Sequence, residues 1–385
     1  MSVRSAAPTG TSPAPLSGRS FGPLATVGGR LRFLDLARGI AIVVMVLQHV
    51  QLLFATDSGE TSPLGTAFLF LGTAPAAPVF MVSMGFLFGA SRRTGVRSGL
   101  RRGVALFALG YALNFVRFTL PAVVAPSALV DDTFGSAWRA LLEIDILQLA
   151  GLSLVVLGLV KHVSRSPWTA VVLAAAVAAV APLLWGLGGG ALALDPLWGE
   201  AQYVSFPLFP WLAYPLLGLA LARFTTRAVS AGTLMRSWAA AGGLALLAGG
   251  ALVALAPGAG GVLVLGDYFR SGLSIQLLLA GFVLVWLPAL WWLDGRLSWQ
   301  LVPRYLTSLS RHITVIYLVQ WALIGWLAIG AGVADRPSWL AALFAVPVLV
   351  ASHLLALGYD KLVATPWRAH RTRADPVAAS EGDRR

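Results

Sequence analysis

A chain of 385 residues that is 57% hydrophobic and only 11% charged cannot hide its apolar side chains in one water-soluble core, which excludes an ordinary soluble enzyme. Its formal charge of +12 is carried mostly by loops, so it reports topology in a bilayer and not a nucleic-acid partner. No cysteine occurs, which excludes disulfides, thiolate nucleophiles and Cys-based metal sites.

Residues 1–30, rich in Pro, Ser, Gly and Ala and lacking a separate signal-peptide core, are expected to form a disordered cytoplasmic leader. Ten apolar stretches follow, each long enough to cross about 30 Å of hydrocarbon, at approximately 36–56, 68–90, 103–123, 139–160, 168–187, 204–223, 237–256, 273–293, 312–330 and 338–359. The fold expected is all-α and polytopic, a transmembrane domain over 31–362 with a charged cytoplasmic tail over 363–385. Twenty-three of the 28 Arg and Lys fall in the leader, the tail and alternate loops, which places both termini in the cytoplasm.

The first span, RFLDLARGIAIVVMVLQHV, carries Arg38 and, eleven residues later, His49. In a helix these side chains stand about 20° apart in azimuth and roughly 16 Å apart along the axis, so one face bears a cation near one surface and an imidazole toward the other. Ionisable groups inside a span are expensive to keep and are functional candidates for that reason. Asp35 shares the face and is expected to pair with Arg38.

The second span is interrupted by Pro75 and Pro78, and the sixth by Pro207, Pro210 and Pro215. Broken helices at membrane depth survive where protein or a wet cavity satisfies the freed backbone groups, so a pocket is expected in the outer half. On the basic side Arg32, Arg38, Arg92, Arg93, Arg97, Arg101 and Arg102 cluster where spans one to three meet the interface. The planar guanidinium suits phosphate, which makes Arg32, Arg38, Arg92 and Arg93 candidates to dock a phosphorylated cofactor. The alternative is a set of topology-setting and headgroup-anchoring cations.

Further polar groups lie at a similar outer level: Asn114 and Arg117 in span three, Glu143, Asp145 and Gln148 at span four, Trp211 and Tyr214 in span six, Gln320 in span nine. One buried site would explain them together. Asp145 is the candidate to orient His49 or grip an acceptor hydroxyl, against the reading of an interfacial carboxylate. Asn114, Gln148 and Gln320 are candidate substrate contacts, and the first two serve equally as interhelical links. Trp211 and Tyr214 fit either a sugar-stacking wall or an aromatic belt. His162, His312, His353 and His370 form no metal-ligand spacing, so no metal is expected.

RLRFLDLARGIAIVVMVLQH resembles the first transmembrane segment of the heparan-alpha-glucosaminide N-acetyltransferase catalytic-domain family, and its spacing of Arg, ten residues, His is also that of the acyltransferase-3 family. APVFMVSMGFLFGASRR, FPLFPWLAYPLLGLALAR and SRHITVIYLVQW resemble later helices of the first family, with Ala213 in place of its usual Gly and Gln320 where His is frequent. The resemblance implies an integral acyltransferase of the bacterial plasma membrane. It would move an acetyl or other short acyl group from cytosolic acyl-CoA to a hydroxyl or amine of a sugar, glycan or glycolipid. His49 would be the catalytic residue, and Arg38 would place the acyl-CoA or the charge developing at the reacting centre. An imidazole is a natural general base for the acceptor's proton, and direct transfer ranks above an acyl-histidine intermediate. The rival reading is a transporter or flippase whose buried His and Asp relay protons, although the surroundings of the two Pro-broken spans do not repeat.

Overall fold

The computed structural model describes residues 21–364 apart from 25, 27–28, 93, 127–135, 188–190, 200, 202, 256–267 and 297–300. The expected leader up to residue 20, the tail beyond 364 and Arg93 lie outside these residues. Among the described residues, ten helical segments are long and apolar enough to cross a membrane, and they coincide with the ten predicted stretches. Among the described residues, extended backbone pairs only as two isolated bridges.

The first span is α1 (Arg32–Phe54). The second is two helices, α2 (Pro63–Thr73) and α3 (Ala77–Ala90), divided at Pro75, while Pro78 sits in the first turn of α3, where its missing N–H costs nothing. The third is α4 (Val96–Asn114), which continues through a π-helical turn, Phe115–Thr119, into Leu120–Val124. The fourth, α5 (Ile146–Val163), starts later than its apolar run suggests. Asp145 is its N-cap: Oδ1 accepts from Ile146 N–H at 2.6 Å, and Gln148 Oε1 accepts from Asp145 N–H at 3.2 Å. Residues ahead of that cap form a separate short helix, Ala137–Leu141.

The next spans are α6 (Pro167–Leu184), a turn at Leu208–Trp211 leading into α7 (Ala213–Thr225), α8 (Ala231–Leu255) and α9 (Leu273–Asp294). The predicted loop over 294–311 instead contains a helix, α10 (Leu301–Arg311), strongly amphipathic and too short to span. It is followed directly by α11 (Ile313–Ala331), and the last span joins Ser338–Leu343 to α12 (Ala345–Tyr359).

Helices meet at small residues, as close packing in a membrane requires. A Cβ on Gly85 of α3 would lie 2.0 Å from the Pro215 carbonyl oxygen, and one on Gly218 of α7 would lie 2.0 Å from that of Val82. At the basic end, where α1 begins, cations cap helix C-termini. Lys161 Nζ donates to the Phe88 and Gly89 carbonyls of α3 at 3.2 and 3.3 Å, and Arg223 donates to the Val160 and Ser164 carbonyls ending α5 at 3.3 and 2.6 Å. Part of the expected leader is packed: Phe21 and Leu24 are buried, and Phe21 stacks on Phe86 with ring centroids 6.4 Å apart. One aromatic and one aliphatic side chain thus join this part of the leader to the hydrophobic core.

Candidate active site

α11 presents Tyr317, Gln320 and Trp321 to α1 from one face, because residues three and four apart on a helix are neighbours. Gln320 places its side-chain amide 2.7 Å from His49 Nδ1. Trp321 stacks on the imidazole with centroids 4.1 Å apart, and the Tyr317 ring meets its edge at 6.2 Å. Three side chains from one helix therefore fix the plane and one nitrogen of His49.

On the other side of Trp321 lies Arg117, fully buried, its guanidinium 4.6 Å from the indole centroid and equally far from that of Phe118. The π-helical turn aims it: one extra residue in the turn swings Arg117 inward, and Gly325 of α11 allows the contact, since a Cβ there would lie 1.7 Å from the Arg117 carbonyl oxygen. Arg117 donates from Nη1 to Asp145 Oδ2 at 2.7 Å and from Nη2 to Asn114 Oδ1 at 2.9 Å, and it stands 3.5 Å from Glu143 Oε1. Tyr317 donates its hydroxyl to the same Asp145 oxygen at 2.7 Å. Buried charges are thus paired and hydrogen-bonded rather than left isolated.

The carboxylates sit on a loop outside the spans and are held apart electrostatically. Burial pushes the Glu143 carboxyl up to about 7, with Arg117 opposing. Against the upward push of burial, Arg117 and the Tyr317 hydroxyl hold Asp145 below the ordinary carboxylate range. At the end remote from the basic one, a bridge between two loops, Ile144 N–H to the Tyr203 carbonyl at 2.9 Å and Ser205 N–H to the Ile144 carbonyl at 2.9 Å, sets Ser205 and Phe206 beside them.

Two adjoining cavities result. The one remote from the basic end, called outer for that position alone, measures about 100 Å³ and is lined by His49, Gln48, Glu143, Asp145, Ser205, Trp321 and the aromatic rings of Phe206, Tyr268 and Phe269. The inner one, about 350 Å³, has Arg38, Ser91, Thr94 and Arg102 toward the basic end and an apolar wall including Met81, Met84, Leu87 and Leu154. Both are lined by Met45, Phe80, Ile146 and Tyr317, which form the partition between them. The break at Pro75 contributes here, since Ala76, Ala77 and Phe80 around the start of α3 line the outer cavity.

A site of this build, a paired imidazole beyond an apolar passage with a basic mouth, invites comparison with known proteins. Residues 30–251 match the family described as heparan-alpha-glucosaminide N-acetyltransferase, catalytic. The chain belongs to this family. Comparison with curated proteins and with solved structures found no match in either. Membership makes the chain an acetyltransferase of membranes. In this member of the heparan-alpha-glucosaminide N-acetyltransferase family the matched segment holds Arg38, His49, Arg117 and Asp145, while α10 and α11, with Tyr317, Gln320 and Trp321, lie beyond it.

The structure redistributes several predicted site residues. Arg38 and His49 face adjoining cavities rather than one shared line, because Met45 and Tyr317 intervene. The contact expected of Asp145 on His49 is made by Gln320 instead, and Asp145 serves Arg117 and Tyr317 while lining the outer cavity. Asn114 spends its amide on the Leu141 and Glu143 carbonyls at 3.0 and 2.7 Å, and Gln148 donates to the Glu143 carbonyl at 3.0 Å, so both brace the loop and neither lines the inner or the outer cavity. Trp211 and Tyr214 are fully buried behind the aromatic wall, with Trp211 Nε1 donating to the Phe269 carbonyl at 2.8 Å. Neither a stacking face nor a lipid belt is left to them. Arg32 pairs with Asp294 at 3.1 Å and does not line the inner cavity with Arg38, and Arg92 stands exposed at the surface.

Tyr317 and Trp321 escaped the sequence reading because aromatic residues are ordinary in apolar spans. The spacing of Gln320 and Trp321 from Tyr317, three and four residues on, was the signal that could have found them.

Proposed function

We propose that the protein transfers a short acyl group, acetyl in the first instance, from acyl-CoA to a hydroxyl or amine of a sugar or glycolipid, with His49 as general base. The basic end faces the cytosol in this reading, and the membrane is the bacterial plasma membrane. The observation that carries it is the partition: the passage from Arg38 and Arg102 ends on the same four side chains beyond which His49 stands. The donor's diphosphate rests near those two arginines, its pantetheine arm lies along the Met and Leu wall, and the thioester reaches the partition. The acceptor occupies the outer cavity, where Glu143, Gln48 and Ser205 offer polar contacts.

Chemistry follows from this placement. The acceptor oxygen or nitrogen attacks the thioester carbonyl as its proton passes to His49 Nε2. The tetrahedral intermediate then expels the CoA sulfur, which takes that proton from the imidazolium. For Nε2 to be the base, Nδ1 must carry the other proton, and the Gln320 amide decides this. With its carbonyl turned to His49, Oε1 accepts Nδ1–H and gains a partner, which it lacks among the described residues when the NH₂ faces the ring.

Purified protein supplied with acetyl-labelled acetyl-CoA and a panel of amino sugars and glycolipids should transfer label, or release it slowly to water. His49→Ala should lower the rate by roughly 10² to 10⁴. Equal rates in the two proteins would reject the mechanism.

A further inference from the structure

We infer that a cleft between α1 and α10 takes the terminal phosphomonoester of the donor's nucleotide, an inference that rests on the acyl-CoA donor proposed above. The cleft encloses about 340 Å³ and is lined by Arg30, Arg32, Arg304, Arg311, Thr307 and Ser308 around Asp35. Its walls are fixed: Ser310 Oγ donates to Asp35 Oδ1 at 2.8 Å, and a Cβ on Gly39 would lie 2.4 Å from the Leu306 carbonyl oxygen, so α10 rests on the α1 backbone.

Charge defines what such a cleft accepts. Asp35, the one carboxylate among its lining residues, already takes Arg30 Nε at 2.8 Å as well as Ser310, and Arg32 pairs with Asp294 at 3.1 Å. Arg304 and Arg311 add two charges that this wall does not offset, and a concave surface of one sign concentrates counter-ions. Guanidinium forks and two hydroxyls suit a dianionic phosphate monoester. Ser308 is itself held, with Oγ 2.9 Å from His353 Nε2. When that nitrogen donates, the Ser308 hydroxyl hydrogen is available to an anion.

The cleft adjoins the inner cavity through a third one. A cavity of about 210 Å³ shares Arg30, Asp35 and Arg311 with it and shares Arg38 and Leu87 with the inner cavity. Acyl-CoA carries one phosphomonoester, on the ribose 3′ oxygen, at the end of the molecule opposite the thioester. With the thioester at the partition and the diphosphate by Arg38, that group falls toward the cleft. The other source of the same chemistry is a lipid headgroup, since α10 exposes Leu301, Val302 and Tyr305 as an interfacial helix does.

Isothermal titration of the full chain in nanodiscs with CoA and with 3′-dephospho-CoA separates these. The parent should bind CoA about tenfold or more tightly than 3′-dephospho-CoA. Arg304→Gln with Arg311→Gln should abolish that preference while leaving 3′-dephospho-CoA affinity unchanged, which also shows the variant is folded. Equal binding of the two ligands by the parent, or a variant that keeps the preference, overturns the cleft assignment and leaves the donor reading intact. A parent that binds neither ligand removes the donor reading as well. Retention of phosphatidylglycerol by the parent in native mass spectrometry, lost in the variant with CoA affinity unaltered, assigns the cleft to lipid and overturns the proposal.

Discussion

At the scale of single residues, His49 depends on Gln320 and not on a carboxylate. Gln320→Leu removes the group that selects the Nδ1 proton without charging or opening the site, so turnover should fall by about 10²-fold while CoA affinity holds. A KM for acetyl-CoA that rises in place of a lower kcat would contradict this role. Asp145 has the heavier structural duty. In Asp145→Asn a buried guanidinium at 2.7 Å loses its closest charge, at a cost of about 3 kcal/mol, read as a lower unfolding midpoint in detergent. Glu143 gives a pH signature. Its carboxyl rises from 4.5 to about 7 on burial, so its contribution to stability is fully present below the unfolded value and is lost as pH climbs through about 7. Unfolding followed across roughly pH 4 to 8 should show that decline in the parent and its absence in Glu143→Gln.

At the scale of elements, apolar length and proline position were readable in advance, because a membrane span needs a minimum run of hydrocarbon and Pro cannot continue a helix. The π-helical turn at Phe115–Thr119 and the late start of α5 were not. The first depends on α11 pressing against it at Gly325, and the second on Asp145 and Gln148 satisfying each other at a cap that hydropathy does not register. Gly325→Val must push α11 off the Arg117 carbonyl. The expected loss is about 1 to 3 kcal/mol of stability together with most of the transfer activity, since α11 carries Tyr317, Gln320 and Trp321. Unchanged thermal unfolding in that variant would mean the contact is softer than its geometry indicates.

At the scale of the whole molecule, the partition of Met45, Phe80, Ile146 and Tyr317 divides the inner cavity from the outer one, the donor and acceptor sides of the proposed reaction. Met45→Trp should thicken that partition. CoA affinity should stay within roughly twofold while turnover drops by about 10²-fold or more, because the thioester is then held short of its attack distance. The sequence by itself determined a ten-span helical protein, its basic face and the placing of Arg38 and His49 on one helix, because hydropathy, charge and a 3.6-residue period are local properties of the chain. Which polar residues meet was decided by the azimuth of each helix against its neighbours, a property of packing alone. That packing sent Asn114 and Gln148 to brace a loop, put Trp211 and Tyr214 behind the wall, and brought Gln320 from 271 residues away to His49.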